Sequence, residues 1–191
     1  MMNTIKDEVL HMKKLLCLLF AVMCLFSVAA ADDPFIGMLT YNEGQYKVGY
    51  DMQPGTYVLL STSKFGGYFC VSSDANGRDI LFNDNFDTNS IVEVRRGEYV
   101  ELSRCMAIDM DDFYSEYTIN YSGNTGVMLR VGYDIMPGEY KLRAESGTSG
   151  YYCIYPNPRH DDILANDNFK NSAYVYLSYG QYVILNRCYV Q

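Results

Sequence analysis

Three kinds of side chain in this sequence are candidates for chemistry: histidine, a recurring set of carboxylates, and cysteine. Histidine occurs twice, and only His160 lies beyond Ala31. A single histidine cannot form a multi-histidine metal site. In the internal repeat its counterpart is Gly77, which disfavours serine–histidine–aspartate and cysteine–histidine centres. We therefore expect a protein that is not an enzyme, with no catalytic residue, no resident metal and no cofactor.

Aspartates recur at equivalent places of the internal repeat, and this is the pattern that would favour a hydrolase. Paired carboxylates act as acid and base, or as acid and nucleophile, in glycoside hydrolysis. Aspartates in equivalent places of two copies of one unit are better explained as turn formers, so a secreted, glycosidase-like hydrolase is the alternative function. The recurring residues are Asp51, Asp79 and Asp84 in the first copy and Asp134, Asp162 and Asp167 in the second.

The stretch Asn-Asp-Asn-Phe is the sharpest polar feature, and it also occurs twice. Asparagine and aspartate side chains favour Asx turns, in which they bond to their own backbone, and their oxygens are also suitable ligands for calcium. Turn formation is the favoured interpretation, and a calcium or other ligand site is the alternative. The residues concerned are Asn83, Asp84, Asn85, Asn166, Asp167 and Asn168.

Four of the six cysteines lie beyond Ala31, and an even number in an exported chain favours disulfides over metal or redox chemistry. Three pairings of four cysteines exist. The pairing of Cys70 with Cys105, and of Cys153 with Cys188, keeps each copy of the repeat self-contained, so we predict it. In "EYVELSRC" the apolar residues alternate onto one face and Cys105 onto the other. That places the bridge outside the core unless a bulge intervenes.

The prediction of export rests on residues 1 to 31. An apolar run, "LLCLLFAVMCLFSVAA", follows Lys13 and Lys14 and is closed by three alanines before Asp32, which is the layout of a cleaved secretory signal peptide. The run is shorter than the roughly 20 apolar residues of a spanning helix, so an uncleaved anchor is the less favoured alternative. Met12 is an alternative start. We expect a secreted, extracellular protein that is not membrane-bound after cleavage.

Composition argues against nucleic acid as a partner. The formal net charge is -8, and loss of residues 1 to 31 makes it one unit more negative, because three lysines leave with two carboxylates. An acidic chain repels phosphate backbones. The chain has 19 tyrosines and no tryptophan, which is consistent with a tyrosine-rich binding surface.

The chain carries an internal repeat whose two copies align without a gap. With Val48 placed on Val131, "VGYDMQPGTY" aligns with "VGYDIMPGEY" and "RGEYVELSRC" with "YGQYVILNRC", and roughly 26 of about 60 aligned positions are identical. An internal duplication into two domains is therefore predicted. The domains are residues 34 to 110 and residues 118 to 191, joined by a linker at residues 111 to 117.

The local pattern of each copy is that of strands. Short runs of tyrosine, valine, isoleucine and phenylalanine alternate with glycine, proline, asparagine and aspartate at roughly the spacing of an all-β sandwich or barrel. Beyond Ala31 we find no convincing helical period. The predicted fold class is all-β, with each copy a jelly-roll or Greek-key-like β-sandwich.

Each copy also repeats a glycine two residues before a tyrosine, at the foot of a strand. Glycine permits a positive φ, and the tyrosine beyond it can bury its ring while its hydroxyl bonds back to the backbone. We interpret these tyrosines as structural corners. They are Tyr57, Tyr99, Tyr140 and Tyr182, with Tyr46 as a fifth example.

The phrases "VGYDMQPGTY", "DILFNDNF" and "GEYVELSRC", with their second copies, resemble an uncharacterised tandem module of exported and surface proteins of Gram-positive bacteria. In that family the phrases run as V-G-x-D-I-x-P-G-E-Y, N-D-N-F and G-Q-Y. The resemblance implies an extracytoplasmic β domain of accessory or binding type and carries over no catalytic residue. We expect a secreted, non-catalytic binding or adhesion protein whose partner is an extracellular glycan, an envelope polymer or a protein.

Overall fold

Strands make up about half of the residues that the structure describes. A computed structural model describes residues 33 to 123 and 125 to 191, so the predicted signal peptide at residues 1 to 31 lies outside the described residues. Gly37–Gln191 form one compact unit. In its first half, residues 37 to 109, the strands are β1 (Thr40–Tyr41), β2 (Gly44–Lys47), β3 (Gly55–Ser61), β4 (Gly67–Ser72), β5 (Ile80–Phe86), β6 (Asn89–Val94), β7 (Tyr99–Ser103) and β8 (Cys105–Asp109).

The second half, residues 125 to 191, follows a helix, α1 (Met110–Glu116). Its strands are β9 (Val127–Arg130), β10 (Gly138–Ala144), β11 (Gly150–Tyr155), β12 (Ala165–Phe169), β13 (Ser172–Leu177), β14 (Tyr182–Asn186) and β15 (Cys188–Val190).

The strands pair antiparallel into four sheets. In the first half, sheet I has the order β1-β8-β3-β6 and sheet II the order β2-β7-β4-β5. In the second half, sheet III has the order β13-β10-β15 and sheet IV the order β12-β11-β14-β9. The predicted all-β class is confirmed. The division into two jelly-roll or Greek-key-like sandwich domains stays a prediction.

The bounds of several strands follow the sequence repeat. β3 and β10 begin and end at equivalent residues of the two copies, and so do β6 and β13, and β7 and β14. The strand order is also shared, because β8-β3-β6 corresponds to β15-β10-β13 and β2-β7-β4-β5 to β9-β14-β11-β12. The two copies of the sequence repeat therefore have the same strand order.

A core lies between sheets I and II. Alternate residues of a strand point to the same face, and Tyr57 and Leu59 of β3 meet Phe69 and Val71 of β4 in one fully buried cluster. Burying an apolar side chain of this size contributes about 1.5–3 kcal/mol. These contacts fix which face of each strand is the inner one.

The chain crosses between sheets at residues with a left-handed backbone. Arg104 has a φ of 54° and separates β7 of sheet II from β8 of sheet I, and Arg187 has a φ of 53° and separates β14 from β15. A left-handed residue interrupts the alternation of an extended strand. Cys105 and Cys188 consequently point into the interior and are buried. The simple alternation that would place Cys105 outside the core does not continue through Arg104.

The segment predicted as a linker contains α1, which we did not anticipate. The Asp109 carboxylate accepts the N–H groups of Asp111 and Asp112, at 3.0 and 3.3 Å, and so caps the first turn. Phe113 is buried, and α1 packs against β3 and β8. The helix makes about two turns, which is too short for a helical period to stand out in the sequence.

Candidate functional site

One face of sheet III is open to solvent. In β13, Val175 and Leu177 point into the interior, which turns Tyr174 and Tyr176 outward, where they are 65% and 70% exposed. The outward positions of β10 and β15 are polar as well. We call this surface the tyrosine–cation face, and it consists of Glu139, Lys141, Arg143, Ser172, Tyr174, Tyr176 and Tyr189.

The strand register places a charged side chain beside each tyrosine of this face. The cross-strand pairs are Tyr174 with Lys141, Tyr176 with Glu139, and Tyr189 with Arg143. Directly opposed residues of antiparallel strands have Cβ atoms about 4.5–5.5 Å apart. A ligand lying on one of these aromatic rings is therefore also within reach of a charge.

A groove of about 530 Å³ adjoins this face, and Tyr189 lines it whereas Tyr174 and Tyr176 do not. Its lining includes Lys141, Arg143 and Lys170, the last from the connection between β12 and β13, together with the carboxylate of Glu145. In the part of the chain that the structure describes, these three cations take part in no ion pair. The groove thus presents three cations and one side-chain carboxylate, and none of the three cations is held in an ion pair.

The equivalent face of sheet I, in the first copy of the repeat, is apolar and covered. Val58 and Ile91 occupy the places of Lys141 and Tyr174, and both are fully buried. Helix α1 packs against β3 and β8, and the Sδ atom of Met128 accepts the main-chain N–H of Ile91 at 3.2 Å. In the first half this surface is an internal contact, whereas in the second half it faces solvent.

We did not predict the tyrosine–cation face from the sequence, although the sequence contains part of the pattern that forms it. The letters "SAYVYL" alternate tyrosine with small or aliphatic residues, which puts Tyr174 and Tyr176 on one side of a strand. Alternation does not tell whether that side is covered. Only the contacts of the folded chain distinguish it from the buried side that carries Ile91.

The predicted disulfides are absent: Cys70, Cys105, Cys153 and Cys188 are free thiols, and all four are buried. The prediction of a Cys70–Cys105 and a Cys153–Cys188 bridge is therefore corrected. The Cys105 thiol instead donates to the carbonyl of Tyr68 at 3.4 Å, and its counterpart Cys188 makes the equivalent bond at 3.2 Å. Burial raises the pKa of the Cys105 thiol and raises that of Cys188 to about 11.

The reason for this correction lies in the faces of β4. Phe69 and Val71 of β4 belong to the core, so Cys70 points to the opposite face of sheet II, whereas Cys105 lies within the core. A Cβ placed on Gly67 would be 3.0 Å from the Cβ of Cys105, and Cys70 lies about 10 Å further along the strand. A disulfide requires Cα atoms within about 7 Å and converging Cβ atoms.

The two Asn-Asp-Asn stretches lie in strands and form no turn. Asn83, Asp84 and Asn85 are inside β5, and Asn166, Asp167 and Asn168 are inside β12. Alternation places Asp84 on one face of its strand and its two asparagine neighbours on the other. The three side chains of one stretch cannot converge on a single ion. Within residues 33 to 123 and 125 to 191, no three His, Cys, Asp or Glu side chains are grouped to hold a metal.

Asp84 instead meets His160, where the second half contacts the first. The Nε2 atom of His160 lies 3.0 Å from the carbonyl oxygen of Ile91, and its Nδ1 lies 4.0 Å from Oδ2 of Asp84. The imidazole stacks on Phe82 and its side chain is almost fully buried. Burial lowers the pKa of His160 and raises that of Asp84 to about 6, although a third of the Asp84 side chain remains exposed.

Three of the predicted corner tyrosines bond back to the backbone. The hydroxyl of Tyr46 donates to the carbonyl of Asn42, four residues earlier, at 2.7 Å. Tyr57 and Tyr140 make the same bond, at 2.8 and 2.7 Å, also to carbonyls four residues before them. The ring folds over the preceding glycine: a Cβ on Gly44, whose φ is 155°, would lie 3.4 Å from the Tyr46 hydroxyl.

The remaining two predicted corners differ from these. Tyr182 is buried, and the nearby Arg130 partly offsets the rise in its pKa that burial causes. Among the described residues the Tyr99 hydroxyl has no hydrogen-bond partner, and the ring instead lies 5.5 Å from Nζ of Lys47. A tyrosine placed two residues after a glycine therefore does not always form the hydrogen bond from its hydroxyl to the backbone.

The recurring aspartates considered for hydrolysis accept hydrogen bonds that close loops. Asp51 accepts the main-chain N–H of Lys47 at 3.0 Å, and Asp134 accepts that of Arg130 at 2.7 Å. Asp134 also accepts the hydroxyl of Tyr114 of α1 at 2.7 Å. The equivalent backbone hydrogen bonds explain why an aspartate occurs at this position in both copies.

No family model, curated protein or solved structure matches this chain. Among the described residues no helix is long and apolar enough to cross a membrane.

Proposed function

We propose that this protein is a secreted, non-catalytic binding protein whose ligand is an extracellular glycan chain lying across the tyrosine–cation face. The observation that carries the proposal is the outward exposure of Tyr174 and Tyr176 on β13. At the first of these positions the first half has Ile91, which is fully buried. The fold therefore does not require an exposed aromatic residue there.

Tyrosine suits a sugar ligand for a physical reason. Its ring offers an apolar surface on which the C–H face of a sugar ring can pack, and its hydroxyl can exchange hydrogen bonds with sugar hydroxyls. Tyr174 and Tyr176 are two residues apart on one strand, so their Cα atoms are about 7 Å apart. Two rings at that spacing can contact neighbouring units of one chain.

The shape of the face favours a polymer over a small molecule. Small ligands are usually held in concave pockets that cover most of their surface. Tyr174 and Tyr176 do not line the groove but stand on the exposed sheet face beside it. A chain can gain affinity on such a surface by making several modest contacts in a row.

The test is binding of the purified chain to a glycan array and to isolated cell-wall polysaccharide, followed by titration calorimetry on the strongest ligand. The double variant Tyr174→Ala/Tyr176→Ala should lose at least about tenfold in affinity with an unchanged melting temperature. Tyr50→Ala is the matched control, because Tyr50 is 79% exposed but lies in the first half. Equal losses in the control, or no binding by the wild type, would contradict the proposal.

A further inference from the structure

We infer that the glycan bound at the tyrosine–cation face is acidic and carries carboxylate groups on its sugar rings. This inference rests on the proposed function and adds the chemical class of the ligand. It depends on the three cations of the groove, Lys141, Arg143 and Lys170, and on the placement of the first two opposite tyrosines.

The cations are unexpected in this protein and at these positions. The chain has 15 lysines and arginines against 23 carboxylates, so a local cluster of unpaired cations runs against its overall charge. The equivalent positions of the first copy are Val58 for Lys141, Leu60 for Arg143 and Asp87 for Lys170. The strand pattern itself therefore does not require a positive charge at these three positions.

The placement of the protein's positive charges indicates where the ligand carries its negative charges. Arg143 lies across the strands from Tyr189, and Lys141 lies across from Tyr174. Neighbours of this kind are about 5 Å apart at Cβ, so a sugar ring resting on the tyrosine brings its substituents to the cation. A guanidinium group can bond a carboxylate through two parallel N–H···O contacts. A sugar acid combines ring and carboxylate at this spacing.

Other ligands would use only part of the site. A polyanion without rings could neutralise the cations but would leave the tyrosines unoccupied. A neutral glycan could stack on the tyrosines but would leave the cations of the groove without partners. Glu139, opposite Tyr176, is negative, so we expect the carboxylates of the ligand beside Lys141 and Arg143 and not at that end of the face.

Three probes separate these cases. A short oligogalacturonate presents rings and carboxylates, its methyl ester presents the same rings without charge, and poly-glutamate presents carboxylates without rings. We expect the oligogalacturonate to bind at least about tenfold more tightly than either of the others, and its affinity to fall as salt is added. Calorimetry or surface plasmon resonance with the full chain measures both.

The variant test uses a matched change of charge. Lys141→Gln/Arg143→Gln should weaken oligogalacturonate binding at least about tenfold and bring it close to that of the methyl ester. Lys64→Gln/Arg78→Gln removes one lysine and one arginine from exposed positions of the first half and should leave binding unchanged. Thermal melting of both double variants checks that each remains folded.

The outcomes distinguish the inference from the proposed function beneath it. Methyl ester binding as tight as that of the acid overturns the acidic ligand but leaves glycan binding in place. Poly-glutamate binding as tight as that of the acid also overturns the inference, because the sugar ring is then irrelevant. If neither the probes nor the glycan array show binding, both the inference and the proposed function fail.

Discussion

The guanidinium group of Arg159 forms two hydrogen bonds with the carboxylate of Glu98, of 2.9 and 2.8 Å, and both side chains are largely buried. Arg159 also donates to the carbonyl of Glu93 at 3.1 Å and lies over the ring of Phe82. Arg159 belongs to the second half and its partners belong to the first. Its counterpart in the first copy of the repeat is Asn76, so the first half has no arginine at this position with which to make the reciprocal contact.

Arg159→Met should therefore destabilise the fold strongly. The change leaves the Glu98 carboxylate buried without its cation, and breaking a buried pair from one side costs about 3–5 kcal/mol. Urea unfolding measures the loss. The control is Arg95→Met. Arg95 pairs with Glu93 at the surface and its own side chain is 61% accessible, so its loss should cost far less than the loss of Arg159. Equal costs for the two variants would show that the Arg159 contact does not hold the halves together.

Asp84 predicts a pH dependence of stability. Its folded pKa is raised to about 6 by burial, while an unfolded aspartate has a pKa of about 3.9. The resulting stabilisation is complete below about pH 4 and is lost as the pH rises through 6. Asp84→Asn cannot ionise. It should exceed the wild type in free energy of unfolding above pH 7 by on the order of 1 kcal/mol, allowing for the partial exposure of the carboxylate.

That advantage should disappear near pH 4, which urea unfolding at several pH values would show. Burial lowers the pKa of His160, so its own contribution has the opposite sign and is lost as the pH falls, but it is present in both proteins. A difference between Asp84→Asn and the wild type that stays constant with pH would contradict the assignment.

The four cysteines should react as free thiols only when the protein unfolds. Burial keeps the thiols away from solvent, and the raised pKa values of Cys105 and Cys188 leave little reactive thiolate. Iodoacetamide in urea without reductant should modify all four residues, and in buffer it should modify them slowly. Mass spectrometry of the peptides gives the result, and added reductant should reveal no further site. A peptide pair linked through Cys70 and Cys105 would restore the disulfide prediction.

The corner hydrogen bonds predict unequal effects of removing tyrosine hydroxyls. Tyr57→Phe and Tyr140→Phe each remove a bond to a backbone carbonyl and should cost about 0.5–1.5 kcal/mol. Tyr99→Phe removes a hydroxyl without such a bond and should cost less than about 0.5 kcal/mol. Thermal unfolding of the three variants compares them directly. A loss for Tyr99→Phe equal to that for Tyr57→Phe would favour the simple sequence rule over the observed geometry.

Calcium should not stabilise the protein. Asn83 and Asn85 lie on the face of β5 opposite to Asp84, so these oxygens do not surround one point. A ligand that binds only the folded state raises the melting temperature by mass action. Calorimetry in millimolar calcium and in chelator should therefore give melting temperatures within about one degree of each other. A rise of several degrees that is lost in Asp84→Ala/Asp167→Ala would show that calcium binds there.

The all-β class and the repeated strand order could be predicted because they depend on local patterns. Alternating aliphatic and aromatic residues between turn-forming clusters are sufficient to indicate strands such as β6 and β13, and identical spacing indicates that they recur. The predicted positions of Cys105 and of the Asn-Asp-Asn turn were wrong because tertiary structure overrode the local sequence pattern. Arg104 interrupts the alternation, and the first Asn-Asp-Asn stretch takes strand geometry because Phe82 and Phe86 on either side of Asp84 are held in the core.

The candidate site depends on which sheet surface the rest of the chain covers. The sequence by itself determined only which residues share one side of a strand. Alternation in β13 placed Tyr174 and Tyr176 on one side of a strand, just as alternation in β6 placed Ile91. The tertiary structure decided that Met128 and α1 cover sheet I while sheet III stays open. The physical reason is range: strand periodicity is set by neighbours in sequence, whereas burial of a sheet face is set by residues tens of positions away.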